Sequence, residues 1–147
     1  MTVPDMGKRI LVPVDGSEQA ETAFEFAIDE FPDATIVLLN VINPAEAGYS
    51  AQASMPSFSE EWYEQQQSAA QELFDDLIAD AGIGDREVER AVEVGRPTTA
   101  IVDYADDNDI DQIVMGSHGR SGVSRIVLGS VAETVVRRAD VPVTVAR

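Results

Sequence analysis

Short apolar runs alternate with segments of helical period along nearly the whole chain. Lys8 to Val14 (KRILVPV) and Ala34 to Val41 (ATIVLLNV) are apolar almost without interruption, as expected of strands covered on both faces. Between them, Ser17 to Phe31 sets Ala20, Ala23, Phe24, Ala27, Ile28 and Phe31 on one helical face, with acids opposite. Ser17 suits its N-cap, and Glu18 and Glu21 suit its first turn. Asn43 to Ser57 is a long connection rich in Ala, Ser, Pro and Gly, of a length usually functional or disordered. Ser57 and Glu60 have capping-box spacing and open a helix to about Ala81, with Trp62, Ala69, Leu73, Leu77 and Ala81 facing inward. Gly82 and Gly84 end that helix. Val88, Val92 and Val94 interleave with charge in a third strand, Glu87 to Val94, placed toward a sheet edge. Pro97 opens a helix to about Asn108, and Ile110 to Met115 forms a fourth strand. Gly129 to Ala139 is a fourth helix and Val141 to Ala146 a fifth strand.

This alternation predicts an α/β fold: a doubly wound, five-stranded parallel sheet with helices on both faces, in one domain spanning 1–147. Strand order 3-2-1-4-5 puts the first and fourth strands side by side where the order reverses. Ligands in such sheets bind beyond the carboxyl ends of the strands at that reversal. Pro13-Val14-Asp15-Gly16 and the glycine-rich stretch Met115 to Ser130 (MGSHGRSGVSRIVLGS) would face each other there.

Charge narrows the partners. Asp and Glu number 27 against 10 for Lys and Arg, a net charge of −17, and the only lysine is Lys8. Such a surface repels nucleic-acid phosphates. Near-absence of lysine beside abundant acid suggests a salt-rich cytoplasm, since at ~1 M salt the Debye length falls to roughly 3 Å and self-repulsion is screened. No apolar run is long enough to span a bilayer, and the amino end carries no signal-peptide core, so a cytoplasmic location is expected. No cysteine is present, which excludes disulfides and thiolate chemistry.

The order strand, glycine loop, helix suits a phosphate, because a helix amino end offers unpaired N–H groups and a favourable dipole. Gly116 and Gly119 would let backbone approach a ligand closely. Neither standard fingerprint is present: G-x-x-x-x-G-K-[ST] fails for want of lysine, and G-x-G-x-x-G fails on spacing. Arg120 and Arg125 are the basic side chains of the loop; solvated arginines account for them equally well. His118, the sole histidine, has no partner at metal-ligand spacing and reads as an exposed loop residue or a ligand contact. Asp15 could accept from ribose hydroxyls or serve the turn, since Asp-Gly-Ser is common turn chemistry. Ser130 and Glu133 have capping-box spacing, compatible with a phosphate held at the same helix start. No nucleophile–base constellation or metal cluster is apparent.

Gly116-x2-Gly119-x9-Gly129-Ser130 resembles the ATP-binding signature of the universal stress protein family. The opening Ile10-Leu11-Val12-Pro13-Val14-Asp15-Gly16-Ser17, Gly95-x-Pro97, 111–119 and 139–143 resemble it as well. The resemblance implies a homodimeric stress-response protein that binds ATP, ADP or AMP, with or without Mg2+, as a regulatory ligand. It implies that Pro13, Val14 and Val41 line the adenine and that Asp15 meets the ribose or adenine side. Met115, Gly116 and Gly119 would form a loop wall, and Gly129, Ser130 and Val131 would hold phosphates, with His118 and Arg120 beside them. The dimer would form through Val141–Ala146, whose Val141, Val143 and Val145 alternate along a bare edge. Slow metal-assisted ATP hydrolysis through Asp15 and a ligand-free interaction dimer stand as alternatives.

Overall fold

Alternation along the apolar strands decides which helices each residue meets. In the computed structural model, which describes residues 7–45, 60–117 and 128–146, the elements run β1 (Arg9–Pro13), α1 (Glu18–Glu30), β2 (Thr35–Ile42), α2 (Glu60–Ala81), β3 (Val88–Val94), α3 (Pro97–Asp107), β4 (Gln112–Gly116), α4 (Ser130–Arg138) and β5 (Val143–Ala146). The five strands form one sheet in the order β3-β2-β1-β4-β5, and every neighbouring pair is parallel. Ile10, Val12, Ile36, Leu38 and Val114 face α1 and α2, where they pack with Ala20, Ala23, Phe24, Ala27, Ala70, Phe74 and Leu77. Leu11, Val37, Leu39, Ile113 and Met115 face α3 and α4, meeting Ile101, Val102, Ala105, Ala132 and Val135. Both faces of the sheet are therefore dry, which is why β1 and β2 carry continuous apolar runs. Phe24 and Phe74 are fully buried, and truncating either to Ala would cost roughly 3–5 kcal/mol.

The α/β class and the strand order match the sequence expectation. The inward face of α2 matches it only in part, at Leu73, Leu77 and Ala81. Ala70, Phe74 and Leu77 are buried, with Leu73, Ile78 and Ala81 beside them, whereas Ala69 is exposed and Trp62 only half-buried. The expected stripe advanced by four residues each time from Ala69, and a helix of 3.6 residues per turn rotates such a stripe off one face. Steps of four and three keep Ala70, Phe74, Leu77 and Ala81 together. Trp62 instead packs edge-on against Tyr63, ring centroids 5.0 Å apart. Val94, the last residue of the edge strand β3, is also exposed. Ile110 is buried in the turn before β4 instead of within it, and Val141 precedes β5. Ser57 and the connection from 46 onward lie outside the described residues.

Candidate functional site

At its carboxyl end β1 stops pairing on both sides, for different reasons. In a parallel strand the N–H and C=O of one residue point to the same neighbour, and successive residues alternate. Arg9 faces β4, since its carbonyl accepts from the Asp111 N–H at 2.8 Å; Leu11 and Pro13 therefore face β4 too. Pro13 has no N–H to donate, and the register of β1 with β4 covers Ile10↔Gln112 and Leu11↔Ile113. On the other side, β2 outruns β1, pairing with it from Thr35 to Leu39 while continuing along β3 to Ile42. Thr35 and Leu39 face β1, the first donating to the Lys8 carbonyl at 2.9 Å and the second accepting from the Val14 N–H at 2.8 Å. Val41 shares their direction, so its main-chain groups point beyond the end of β1. Ile42 points the other way and accepts from the Gly95 N–H at 2.9 Å. The side-chain amide of Asn40 donates to the Val14 carbonyl at 2.9 Å.

The turn after β1 is built from its own side chains. Val14 is buried and Asp15 half-buried, and Gly16 has φ 88°, a left-handed conformation that an L side chain rarely adopts. The Ser17 N–H donates to Asp15 Oδ1 at 3.0 Å, so this carboxylate has the turn role expected of Asp-Gly-Ser. Ser17 then caps α1, its Oγ accepting from the Ala20 N–H at 3.1 Å.

The end of β4 meets that turn. Met115 and Gly116 are buried, and a Cβ on Gly116 would lie 2.7 Å from the Gln19 backbone in the first turn of α1. The missing side chain at Gly116 thus lets a helix approach, where the sequence suggested a ligand. Ser117 follows, its N–H donating to the Ala146 carbonyl at 3.2 Å and its carbonyl accepting from the Gly129 N–H at 2.7 Å. Gly129 is thereby held at the tip of β4, next to the strand it left. The turn after β1 and the start of α4 converge on one end of the sheet. His118, Gly119, Arg120 and Arg125 lie outside the described residues.

The start of α4 corrects one expectation. Gly129 is the N-cap, its carbonyl accepting from the Glu133 N–H at 2.9 Å, and no side chain caps the helix. Ser130 is the first helical residue and exposed, and the Glu133 carboxylate reaches forward to Arg137 at 3.5 Å. The Ser130–Glu133 capping box is not formed, because the bond from Gly129 to Ser117 draws the cap one residue earlier. Each helix follows a strand of this parallel sheet and so begins at this end of it. Ser17 caps α1, and α3 opens on Pro97, which lacks an N–H. Neither α3 nor α4 has a side-chain cap, and α4, opening on Ser130, keeps the first N–H that Pro97 denies to α3. Val131, half-buried, follows Ser130 there.

Asn40 and Gln19 were not singled out from sequence. Asn40 was visible as the one amide in ATIVLLNV, whereas nothing in the order of residues announces the contact of Gln19 with Gly116. A separate groove of about 280 Å³ lies along β3 and α3, lined by Glu93, Arg96, Asp103, Tyr104 and Asp107 among others. Burial pushes the Tyr104 phenol up from its ordinary value. Among the described residues no three His, Cys, Asp or Glu side chains are grouped as a metal would need, and no helix is long and apolar enough to cross a membrane.

The model of the universal stress protein family matches residues 6–147. The chain belongs to the universal stress protein family. Universal stress protein MJ0531 of Methanocaldococcus jannaschii is 33% identical over 144 residues, covering 95% of this chain and 82% of that one. MJ0577 of the same organism is 31% identical over 160 residues, covering 97% of this chain and 96% of that one. Its solved structure superposes with a TM-score of 0.79, covering 96% of both chains. A universal stress protein solved in complex with cAMP is 25% identical, with a TM-score of 0.62 over 95% of this chain and 96% of that one. Membership in this family was legible from the glycine spacing and the Val-Asp-Gly-Ser turn.

Proposed function

We propose that this universal stress protein binds an adenine nucleotide (ATP, ADP or AMP) as a regulatory ligand in the stress response, at the end of the sheet between β1 and β4. The uncapped amino end of α4, held at the tip of β4 by the Ser117–Gly129 bond, carries the reading. Gly129 sets the turn through its bond to Ser117, Ser130 and Val131 present N–H groups and a hydroxyl that phosphate oxygens accept from, and the helix dipole adds to the attraction. On this reading Pro13, Val14 and Val41 line the base, and Asp15 meets the ribose. The main-chain donor and acceptor of Val41 suit a base edge with an acceptor beside a donor, as in adenine. A family member solved with cAMP lends the adenine moiety its support. Met115 and Gly116 form the adjoining wall, and the loop residues His118, Gly119 and Arg120 complete the set. Mg2+ lowers the repulsion between a polyphosphate and a chain of net charge −17.

Calorimetry on protein stripped of endogenous nucleotide tests this directly, using ATP, ADP and AMP at high salt with and without Mg2+. Saturable binding that Ser130→Ala weakens is expected. No binding by the wild type, together with no nucleotide released on denaturing the purified protein, overturns the proposal. β5 is proposed to pair with a second copy across its free edge.

A further inference from the structure

Asn40 sits where the β1–β2 ladder ought to take one more step. By the alternation already described, the next bond would run from the Val41 N–H to the Val14 carbonyl, repeating the bond from Thr35 to Lys8. The Val14 carbonyl accepts from Asn40 Nδ2 at 2.9 Å instead. The orientation of that amide is fixed by its partner, because a carbonyl only accepts and the nitrogen must therefore face it. Among the described residues, no hydrogen bond to the Val41 N–H takes the place of the missing ladder bond.

We infer that Asn40 is a positioning residue that ends the ladder one residue early and so holds the Val41 N–H open toward the cleft for a ligand. The inference rests on the nucleotide reading and deepens it by naming what keeps the base-reading backbone available. Its chemistry is a competition between two donors for one acceptor. A side-chain amide that satisfies Val14 removes the cost of leaving a buried carbonyl unpaired. It also removes the incentive for β2 to close onto β1. Pro13 does the corresponding thing on the β4 side by lacking an N–H, so the gap at the strand reversal is held open from both flanks. A residue of the same branched shape without a donor reverses the outcome: Val14 recruits Val41, the ladder gains a rung, and the ligand loses its donor.

The test is amide hydrogen exchange at Val41 combined with calorimetry, with AMP as the probe, on the full chain. In the ligand-free wild type the Val41 amide should exchange fast beside its slow neighbours in β2, and AMP should slow it. Asn40→Leu keeps the branched shape and the number of side-chain heavy atoms and removes the donor. It should slow Val41 exchange without any ligand and weaken AMP at least about tenfold, with its melting temperature within a few degrees of the wild type. Asn40→His restores a ring N–H as many bonds from the backbone as the amide nitrogen, and should recover fast exchange and most of the affinity. That rescue also keeps the test decisive if Asn40→Leu fails to fold. A slow Val41 amide in the ligand-free wild type, or undiminished AMP affinity in Asn40→Leu, overturns this inference while leaving nucleotide binding intact. Failure of the wild type to bind AMP, ADP or ATP overturns both.

Discussion

Ser17 and Ser130 each begin a helix, but only one of them acts as a cap. Ser130 has the better sequence, with Glu133 at capping-box spacing, yet Gly129 takes the cap because its N–H is drawn to the Ser117 carbonyl. Ser17 lacks the reciprocal acid and still accepts from Ala20. Replacing Ser17 with Ala should therefore cost about 1 kcal/mol of unfolding free energy in a urea titration. Ser130→Ala should move the same titration by less than about 0.5 kcal/mol, as an exposed side chain outside any bond does. If Ser130→Ala instead destabilises as much as Ser17→Ala, its hydroxyl is structural and the phosphate role loses its motive. Gly116 gives a second single-residue case. An added methyl meets Gln19 backbone atoms at 2.7 Å, which cannot swing aside as a flexible side chain would. Gly116→Ala should then cost roughly 1–3 kcal/mol as α1 is pushed off β4, and should weaken nucleotide at the adjoining turn.

Between elements, one arginine does what no residue of α1 can do. The last turn of α1 has no basic side chain, and its carboxyl end carries carbonyls that need donors. Arg86, from the connection between α2 and β3, donates Nη1 to the Ile28 carbonyl at 3.1 Å and Nη2 to those of Phe31 and Ala34 at 2.6 and 2.8 Å. One guanidinium thus joins the end of α1, the approach to β2 and the approach to β3. Arg86→Met preserves the aliphatic stem and orphans those carbonyls, so a loss of about 2–3 kcal/mol is expected in urea unfolding. Arg86→Lys, lacking the planar fork, should recover only part of it. Such a role shows where the sequence stops being readable. Apolar runs and helical periods carried the strand order, because burial on two faces leaves a mark on every residue of β1 and β2. That the turn after β1 and the start of α4 lie at one end of the sheet was legible for the same reason, since β1 and β4 are parallel neighbours. Arg86 on α1, Asn40 on Val14 and Gly116 against Gln19 are pairings of single groups across 26 to 97 positions, and residue type does not encode the partner. The face of α2 was legible only in part for a smaller reason, a stripe counted in fours along a helix that needs fours and threes.

At the scale of the molecule, charge and assembly oppose each other. The ion pairs among the described residues, Arg9–Glu89, Arg90–Asp75 and Arg137–Glu133, all involve partly or largely exposed side chains and answer little of a net charge of −17. Bringing two such chains together through β5 costs repulsion that grows as salt is withdrawn. The pairing edge itself follows from the ladder: Pro142 and Ala146 accept from Ile113 and Ser117, so alternate residues Val143 and Val145 direct their main-chain groups away from β4. A second copy would find its bonding partners there. The Debye length falls from about 10 Å at 0.1 M to about 3 Å at 1 M, which leaves those short hydrogen bonds intact while removing most of the longer-range repulsion. Sedimentation equilibrium should accordingly show a dissociation constant that tightens at least about tenfold over that range, and a melting temperature that rises with both salt and protein concentration. Val145→Pro removes an outward N–H without touching a bond to β4, so it should leave a folded monomer at every salt concentration. A dimer that Val145→Pro does not weaken would move the interface away from β5, and one that loosens as salt is added would mean that ion pairs, not an uncharged strand edge, hold the copies together.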